Sequence, residues 1–468
     1  MKKGNLCLWL KRIGIGYLLY ILIFGIAIYA MPSHVDKVAN VDTYYGDTTG
    51  VDQVALIELP EDAFARRIEI IQHAKKELDI CYHNLKAGES VDCFVAEIIQ
   101  AANRGVKVRF VLDGTLGGLS GEHKDLEVAL RAHQNIEYRP YNPIHLLKPW
   151  GWNVMLHDKF ILADDELLLL GGRNIGDEYF APPGYEDKVT HDRDVLVWNA
   201  QHQQESVLHD VKKYMDEIWN AKETKVLKPL NDKQMQKGKN AQRRILALRT
   251  TWMRKYKDYY YPEERFDKIM HPTNKITLIH NPLSTFKKEP TIGANMAHLL
   301  TNCKDIIIQT PYATANPYTL KALTKMNENG QVKMLTNSLG STPNYPAFSN
   351  YYYQRDKFVD TNTMIYEYQS KDSIHGKSAL ADERLSMVGS FNLDDRSLYI
   401  DTESILVIDS EPFYQELKKE IDAKLEMSAK VNQDNEYVDH SKVVEVSTSK
   451  KVIMYFVSLF SRLFQFLI

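Results

Sequence analysis

Cysteine is scarce in this sequence, and the little there is forms no pattern. The four thiols are Cys7, Cys81, Cys93 and Cys303 in 468 residues. None stands in a C-x-x-C pair and no zinc-ligand spacing is present, which points to four free thiols; Cys7 alone lies beside an apolar segment, where an acyl chain would have access. Charge of one sign is also lacking. Fifty-eight Lys and Arg against 61 Asp and Glu leave a net charge of -3, which argues against a protein that coats nucleic acid by bulk charge. Disorder is excluded for the chain as a whole, because 44% of residues are apolar and 25% charged. No cluster of metal ligands is visible, so no metal and no cofactor is expected. The length favours two to four domains.

Long apolar runs occur at the two ends only. Ile13 to Met31 carries no charge and follows Lys2, Lys3, Lys11 and Arg12. At 1.5 Å per residue this run approaches the roughly 30 Å hydrocarbon core of a bilayer. It is longer than the apolar part of a signal peptide, and Ala27-Ile28-Tyr29-Ala30 is a poor cleavage site. Residues 1–35 are therefore expected to form a single-pass anchor in the cell membrane. The positive-inside rule then places the rest of the chain on the extracytoplasmic side. At the other end, residues 450–468 read as an amphipathic helix. Its polar residues Ser458, Ser461, Arg462 and Gln465 recur at spacings of three and four, on one narrow stripe. The short length and Arg462 favour a helix lying in the membrane interface over a second span. A final helix packed on the domain is the alternative.

Between the ends the chain repeats itself. In the first half a helical pattern over Phe64 to Leu78 leads into the strand-like run Leu78 to Tyr82. A second helical pattern, Val91 to Asn103, leads into Val106 to Leu112. In the second half Asp305 to Gln309 is followed by a helical pattern over Tyr318 to Met326 and the run Val332 to Leu335. Strands alternating with helices predict an α/β fold, and the repetition predicts two layered α-β-α domains in a pseudo-twofold pair. The expected repeats are residues 45–221 and 273–426. The intervening 222–272 begins with a basic stretch, Lys222 to Lys257, holding twelve Lys and Arg against the acids Glu223 and Asp232. It is expected to be helical and exposed, either as a solvated surface or as a patch drawn to anionic headgroups. Residues 427–449 read as a polar linker.

The repeat carries a motif. His157-Asp158-Lys159 with Asp164, and His375-Gly376-Lys377 with Asp382, both read H-x-K-x4-D. Each is followed at the same distance by a glycine-led tail, Gly171-Gly172-Arg173-Asn174 and Gly389-Ser390-Phe391-Asn392. One copy arises easily by chance; two with matching tails do not. His and Lys two apart on a strand share a face, which would set a nucleophile beside a cation. Asp164 and Asp382 fall near the strand end and suit bracing their own half better than touching substrate. Asn174 and Asn392 suit donation to anionic oxygens, and the glycine pairs allow close backbone approach. Two histidines fit a two-step displacement at phosphorus, one attacking and one moving protons. The lysines and asparagines would stabilise the charge that develops. Each imidazole needs a carboxylate to set its tautomer. Asp192 and Glu403, each just before an apolar run, are the best candidates. His83, His191, His280 and His298 lack such context and read as structural.

These residues resemble the phospholipase D superfamily, in which two such motifs share one active site. Within it the chain is similar to bacterial cardiolipin synthases of the phosphatidyltransferase type, through Leu147-Lys148-Pro149, Gly171 to Asp177, Thr336-Asn337-Ser338-Leu339 and Gly389 to Asp394. The resemblance covers about residues 50 to 425. It implies a phospholipid substrate, membrane association and no nucleic-acid partner. It also implies His157 as nucleophile, His375 as general acid, and crossed pairing of Glu403 with His157 and Asp192 with His375. A hydrolase with water as acceptor, a superfamily nuclease and a non-enzymatic scaffold are the competing readings. The apolar ends disfavour a nuclease. A scaffold would be expected to lose a motif residue, and none is lost. Many cardiolipin synthases carry two N-terminal spans where this chain has one.

Overall fold

The computed structural model describes residues 3–468 apart from 32, 34, 36, 87 and 120; Lys2, invoked above for the charge flank, lies outside them. The first half is built from β1 (Gln53–Ile57), β2 (Glu77–Tyr82), β3 (Lys107–Asp113), β4 (Ile136–Tyr141), β5 (Phe160–Ala163), β6 (Leu167–Gly171), β7 (Thr190–His191), β8 (Asp194–Trp198) and β9 (His271–Pro272). The second is built from β10 (Lys275–His280), β11 (Asp305–Gln309), β12 (Gln331–Asn337), β13 (Met364–Tyr368), β14 (Ser373–Ile374), β15 (Lys377–Ala381), β16 (Leu385–Gly389), β17 (Ser404–Asp409) and β18 (Ser428–Lys430).

Two eight-stranded mixed sheets result, in the orders β4-β3-β2-β5-β6-β8-β1-β9 and β10-β17-β16-β15-β11-β12-β13-β18. Their correspondence, β2 with β11, β5 with β15 and β8 with β17, is the pseudo-twofold repeat. Helices Pro60–His73 and Glu89–Asn103 cover the outer face of the first sheet; Thr291–Leu300 and Pro317–Asn329 cover that of the second. The inner faces meet in one core, where Leu156, Phe160 and Leu168 join Ile374, Leu380 and Val388, flanked by helices Val207–Asn220 and Glu411–Glu426. Burial on both faces explains why β6 and β8 are apolar almost throughout. A short parallel ladder of β7 with β14 ties the halves together directly.

Three expectations are refined. The basic stretch is helical over Asp232–Lys255 and its cations face mostly outward, while Ala241, Ile245 and Trp252 are buried as it packs on helices Glu89–Asn103 and Lys124–Arg131. The 427–449 stretch contains β18, which pairs with β13. The C-terminal helix, Thr448–Leu463, packs on helix Tyr345–Tyr353 through Met454 and the serines of its polar stripe, while Arg462 stays exposed. Ser458 and Ser461 are buried, with Ser349 Oγ 2.7 Å from Ser461 Oγ, while Tyr455, Phe456, Leu459, Phe460 and Leu463 face outward. Among the described residues one helical segment, Cys7–Ala30, is long and apolar enough to cross a membrane. It runs as an α-helix from Lys3 to Ile21, widens at Leu22–Ile26 and tightens at Ala27–Ala30, where Gly25 and Tyr29 are buried against the body.

Candidate active site

Parallel β2, β3 and β4 end at the same edge of the first sheet at which antiparallel β5 begins. His157 lies at that edge, and His375 lies at the equivalent edge of the second sheet, before β15. Neither histidine is on a strand, contrary to the expectation above. The ladders begin at Phe160 and Lys377, because the preceding residues turn to bond the opposite half. The His157 N–H donates to the carbonyl of Thr402 and the His375 N–H to that of His191.

The side chains follow the same crossing. His157 Nδ1 lies 2.9 Å from Glu403 Oε1, and His375 Nδ1 lies 2.5 Å from Asp192 Oδ2. Each imidazole of one half is thus oriented by a carboxylate of the other. Glu403 also accepts from the hydroxyls of Ser390 and Ser397. Asp192 Oδ1 accepts the Arg193 N–H at 2.8 Å. A Cβ at Gly172 would fall 2.5 Å from that same oxygen, so only glycine lets Asp192 come this close. Arg193 spans the halves, donating to Glu58 in its own half and to Gln309 and Ser378 in the other.

Lys377 Nζ stands 2.8 and 3.1 Å from the two ring nitrogens of His375, and Lys159 Nζ donates to the His157 carbonyl. Both lysines are buried, and burial brings Lys159 down to about 8 and Lys377 down to about 7. Burial, then Lys159, Lys377 and His375, hold His157 well below its ordinary range, so the two motifs feel each other's charge. Burial and Lys377 lower His375 to about 4 against the pull of Asp192. The two carboxylates diverge. Burial raises Glu403 to about 7. Burial acts the same way on Asp192, but Lys377 and His375 more than offset it and keep it ionised far below the usual range.

Asn174 and Asn392 are buried, each with its amide oxygen unpartnered; the Asn174 amide nitrogen donates to Tyr179. Asp164 and Asp382 are not part of this cluster. They sit at the far ends of β5 and β15 in left-handed turns with φ of 52° and 51°, a conformation Asp tolerates. Asp164 accepts the N–H groups of Lys75, Lys76 and Glu77 at 2.8–2.9 Å, and Asp382 those of Lys304 and Asp305. Three neighbours of the histidines were not anticipated. The ring of His83 packs on His157 at 5.0 Å, and Tyr179 and Tyr312 pack on His375 at 5.8 and 6.1 Å. The signal for His83 was its place just beyond the end of β2, at the edge that holds the site.

The family described as "Cardiolipin synthase, PLD-like domain" matches residues 68–219 and 296–425, one range in each half. An uncharacterized protein of Helicobacter pylori (strain ATCC 700392 / 26695) is 28% identical over 406 residues, covering 78% of this chain and 77% of its own. Cardiolipin synthase C of Escherichia coli (strain K12) is 27% identical over 406 residues, covering 78% and 82%. Among solved structures, phosphatidylserine synthase from Haemophilus influenzae Rd KW20 superposes with a TM-score of 0.59 at 16% identity, over 89% of this chain and 95% of that one, which is a likeness of fold. With both halves matched and the duplicated sheets in place, the chain belongs to the phospholipase D-like cardiolipin synthase family of phospholipid-modifying enzymes.

Proposed function

We propose that this protein is a phosphatidyltransferase that forms cardiolipin from phosphatidylglycerol through a phosphohistidine. The single observation that carries the reading is the crossed pair of dyads, His157 with Glu403 and His375 with Asp192, with Lys159 and Lys377 beside them. Each carboxylate accepts a hydrogen bond from Nδ1–H, which keeps the proton on Nδ1 and leaves Nε2 free to react. His157 Nε2 attacks phosphorus, and the bond to the leaving glycerol breaks. The alkoxide takes a proton from Nε2 of His375. A second lipid alcohol then gives its proton back to His375 and attacks phosphorus, and the P–N bond breaks to restore His157. The lysines and the amides of Asn174 and Asn392 hold the phosphoryl oxygens.

The divided electrostatics support this assignment of roles. An ionised Asp192 pulls His375 toward the imidazolium that a general acid needs, against burial and Lys377, which lower it. A Glu403 near neutrality leaves His157 a neutral nucleophile. Lys11 and Arg12 near the start of the candidate span Cys7–Ala30 support, on the positive-inside rule, a catalytic body outside the cytoplasm; protease shaving of intact cells tests that side. The chemistry is tested by incubating the purified protein with labelled phosphatidylglycerol, with and without phosphatidylethanolamine. Cardiolipin and free glycerol are expected. Phosphatidic acid as the only product would make water the acceptor and the protein a hydrolase.

A further inference from the structure

The active-site end of the molecule carries an apolar surface that the chemistry does not use. The loop 142–153 leaves β4 at the edge where His157 lies, and its tip points outward: Leu146 is 68% and Leu147 67% exposed, with Ile144 beside them. The N-terminal helix leans on this tip. Tyr17 and Tyr20 donate their hydroxyls to the carbonyls of Leu146 and Leu147 at 2.8 and 2.9 Å. Phe24 packs on Trp150, and Trp150 stacks on the exposed Phe286.

In the other half, parallel β11 and β12 end where antiparallel β15 begins, again at the histidine edge. The chain beyond β12 forms helix Tyr345–Tyr353, on which the C-terminal helix rests. The outer face of that last helix holds Tyr455, Phe456, Leu459, Phe460 at 69% and Leu463 at 70% exposure. Its end returns to the first half: Arg396 donates both to the Leu467 carbonyl and to the carbonyl of Asn153, at the end of the 142–153 loop.

A helix that buries its serines and exposes its aromatics is inverted for water. It gains from burial only where the outside is also apolar. The Leu146 and Leu147 carbonyls are partnered internally, as backbone in hydrocarbon must be. Exposed Lys148, Lys451 and Arg462 flank the patches, as cations do at anionic headgroups. The segment long enough to span touches the first patch through Tyr17 and Tyr20, and its Ala27–Ala30 end meets residues Gln465–Leu467 that follow the C-terminal helix. We propose that the active-site end is embedded in a lipid bilayer: the Ile144–Leu147 tip and the outer face of the C-terminal helix enter the same leaflet, one from each half, and a headgroup phosphodiester reaches His157 and His375 without leaving the membrane. The inference rests on phosphatidyl transfer for its substrate, but not for the surface.

The test uses the full chain in phosphatidylglycerol vesicles. Nitroxides are placed at Leu147→Cys and at Phe460→Cys in a Cys7→Ser background, the other cysteines being buried. Both labels should be relaxed by oxygen and shielded from a water-soluble nickel chelate. A chelate-accessible label at either site overturns the proposal. So does nitroxide–nitroxide broadening, which would mean that a second copy of the chain covers the face. In parallel, Leu146→Asp with Leu147→Asp, and Phe456→Asp with Phe460→Asp, should lower turnover of vesicle phosphatidylglycerol about tenfold or more. Each should leave turnover of monomeric dihexanoyl phosphatidylglycerol within about twofold, since no reacting group is touched. Equal loss on both substrates by a folded variant overturns it. If the unmodified protein transfers neither lipid, the functional reading fails, while the labels still decide the surface.

Discussion

Replacing Asp192 with Asn should harm this enzyme far more than replacing Glu403 with Gln, although both changes replace one dyad carboxyl by its amide. At position 192 the orientation of the new amide is dictated by its neighbours. Oδ1 already accepts the Arg193 N–H at 2.8 Å, so the amide nitrogen must face His375 Nδ1, 2.5 Å from the present Oδ2. It then donates where it should accept, and His375 adopts the tautomer with its proton on Nε2. That ring cannot take a proton from the incoming alcohol. The equivalent tautomer error in a Ser-His-Asp triad costs about 10⁴ in rate. A loss of about 10³–10⁴, or about 4–5 kcal/mol of barrier, is expected here. Lys377 adds to it: its Nζ lies 4.0 Å from Asp192, and without that anion its proton is held less firmly still. At position 403 every neighbour is a donor. His157 Nδ1 and Ser397 reach Oε1, and Ser390 reaches Oε2. A glutamine can keep Oε1 toward His157 and turn its nitrogen to Ser390 Oγ, which preserves the tautomer. Exchanging a charged for a neutral acceptor costs about 1–2 kcal/mol, or roughly tenfold. The assay is initial-rate cardiolipin formation by both variants, with thermal unfolding to show that each is folded. Equal losses, or a larger loss at Glu403, would refute the reasoning.

Alanine at His157 or His375 should abolish turnover in a folded protein, and alanine at Lys159 or Lys377 should cost about 10²–10³ in kcat; near-normal rates in either histidine variant end the two-histidine mechanism. Activity should survive exhaustive EDTA, since among the described residues no group of three or more His, Cys, Asp or Glu is placed to hold a metal ion; loss on chelation with rescue by zinc or magnesium is the contrary result. Asp164→Ala should lower stability by about 2–4 kcal/mol, through three lost bonds to backbone N–H groups, with little change in kcat once folded; urea titration beside kinetics separates the two effects. Burial would raise Glu58, but Arg193 and Lys424 hold it down to about 2. Its depressed pKa contributes stability, on the order of 3 kcal/mol, that is present above its unfolded value of 4.5 and is lost as pH falls toward 2. Arg193→Met should therefore narrow the difference in urea midpoint between pH 7 and pH 3; an unchanged difference would show that Arg193 does not set that titration.

What the sequence made legible was what is local. The spacing from His157 to Asn174 and from His375 to Asn392 lies within single β-hairpins, so it survives as a pattern of residues. The strands Asp305–Gln309 and Glu77–Tyr82 were readable because their apolar runs end in polar turns. The crossed contacts were not readable from residues, and the expected pairing came from family resemblance. No spacing rule links His157 to a glutamate 246 positions away. His83 lacked any motif, because only the convergence of strand ends brings it to His157. The strand starts were misjudged because H-x-K alternation looks like a ladder even where the backbone bonds the other half instead. Periodicity placed Ser458, Ser461, Arg462 and Gln465 on one stripe, but it does not say which side of a helix meets the protein. Here the side with Met454, Ser458 and Ser461 does, and Arg462 stays outside.

The crossed dyads also set a timetable during synthesis. The first half can fold as soon as it clears the ribosome, yet His157 finds its partner only when Glu403, 246 residues later, has been made. At about 5–20 residues per second that is a delay of roughly 10–50 s. Throughout it the nascent chain holds half an active site, without the carboxylate that orients His157. Because His157 waits for Glu403, and His375 itself is made only shortly before that glutamate, the unfinished polypeptide lacks both working dyads until the second half is complete.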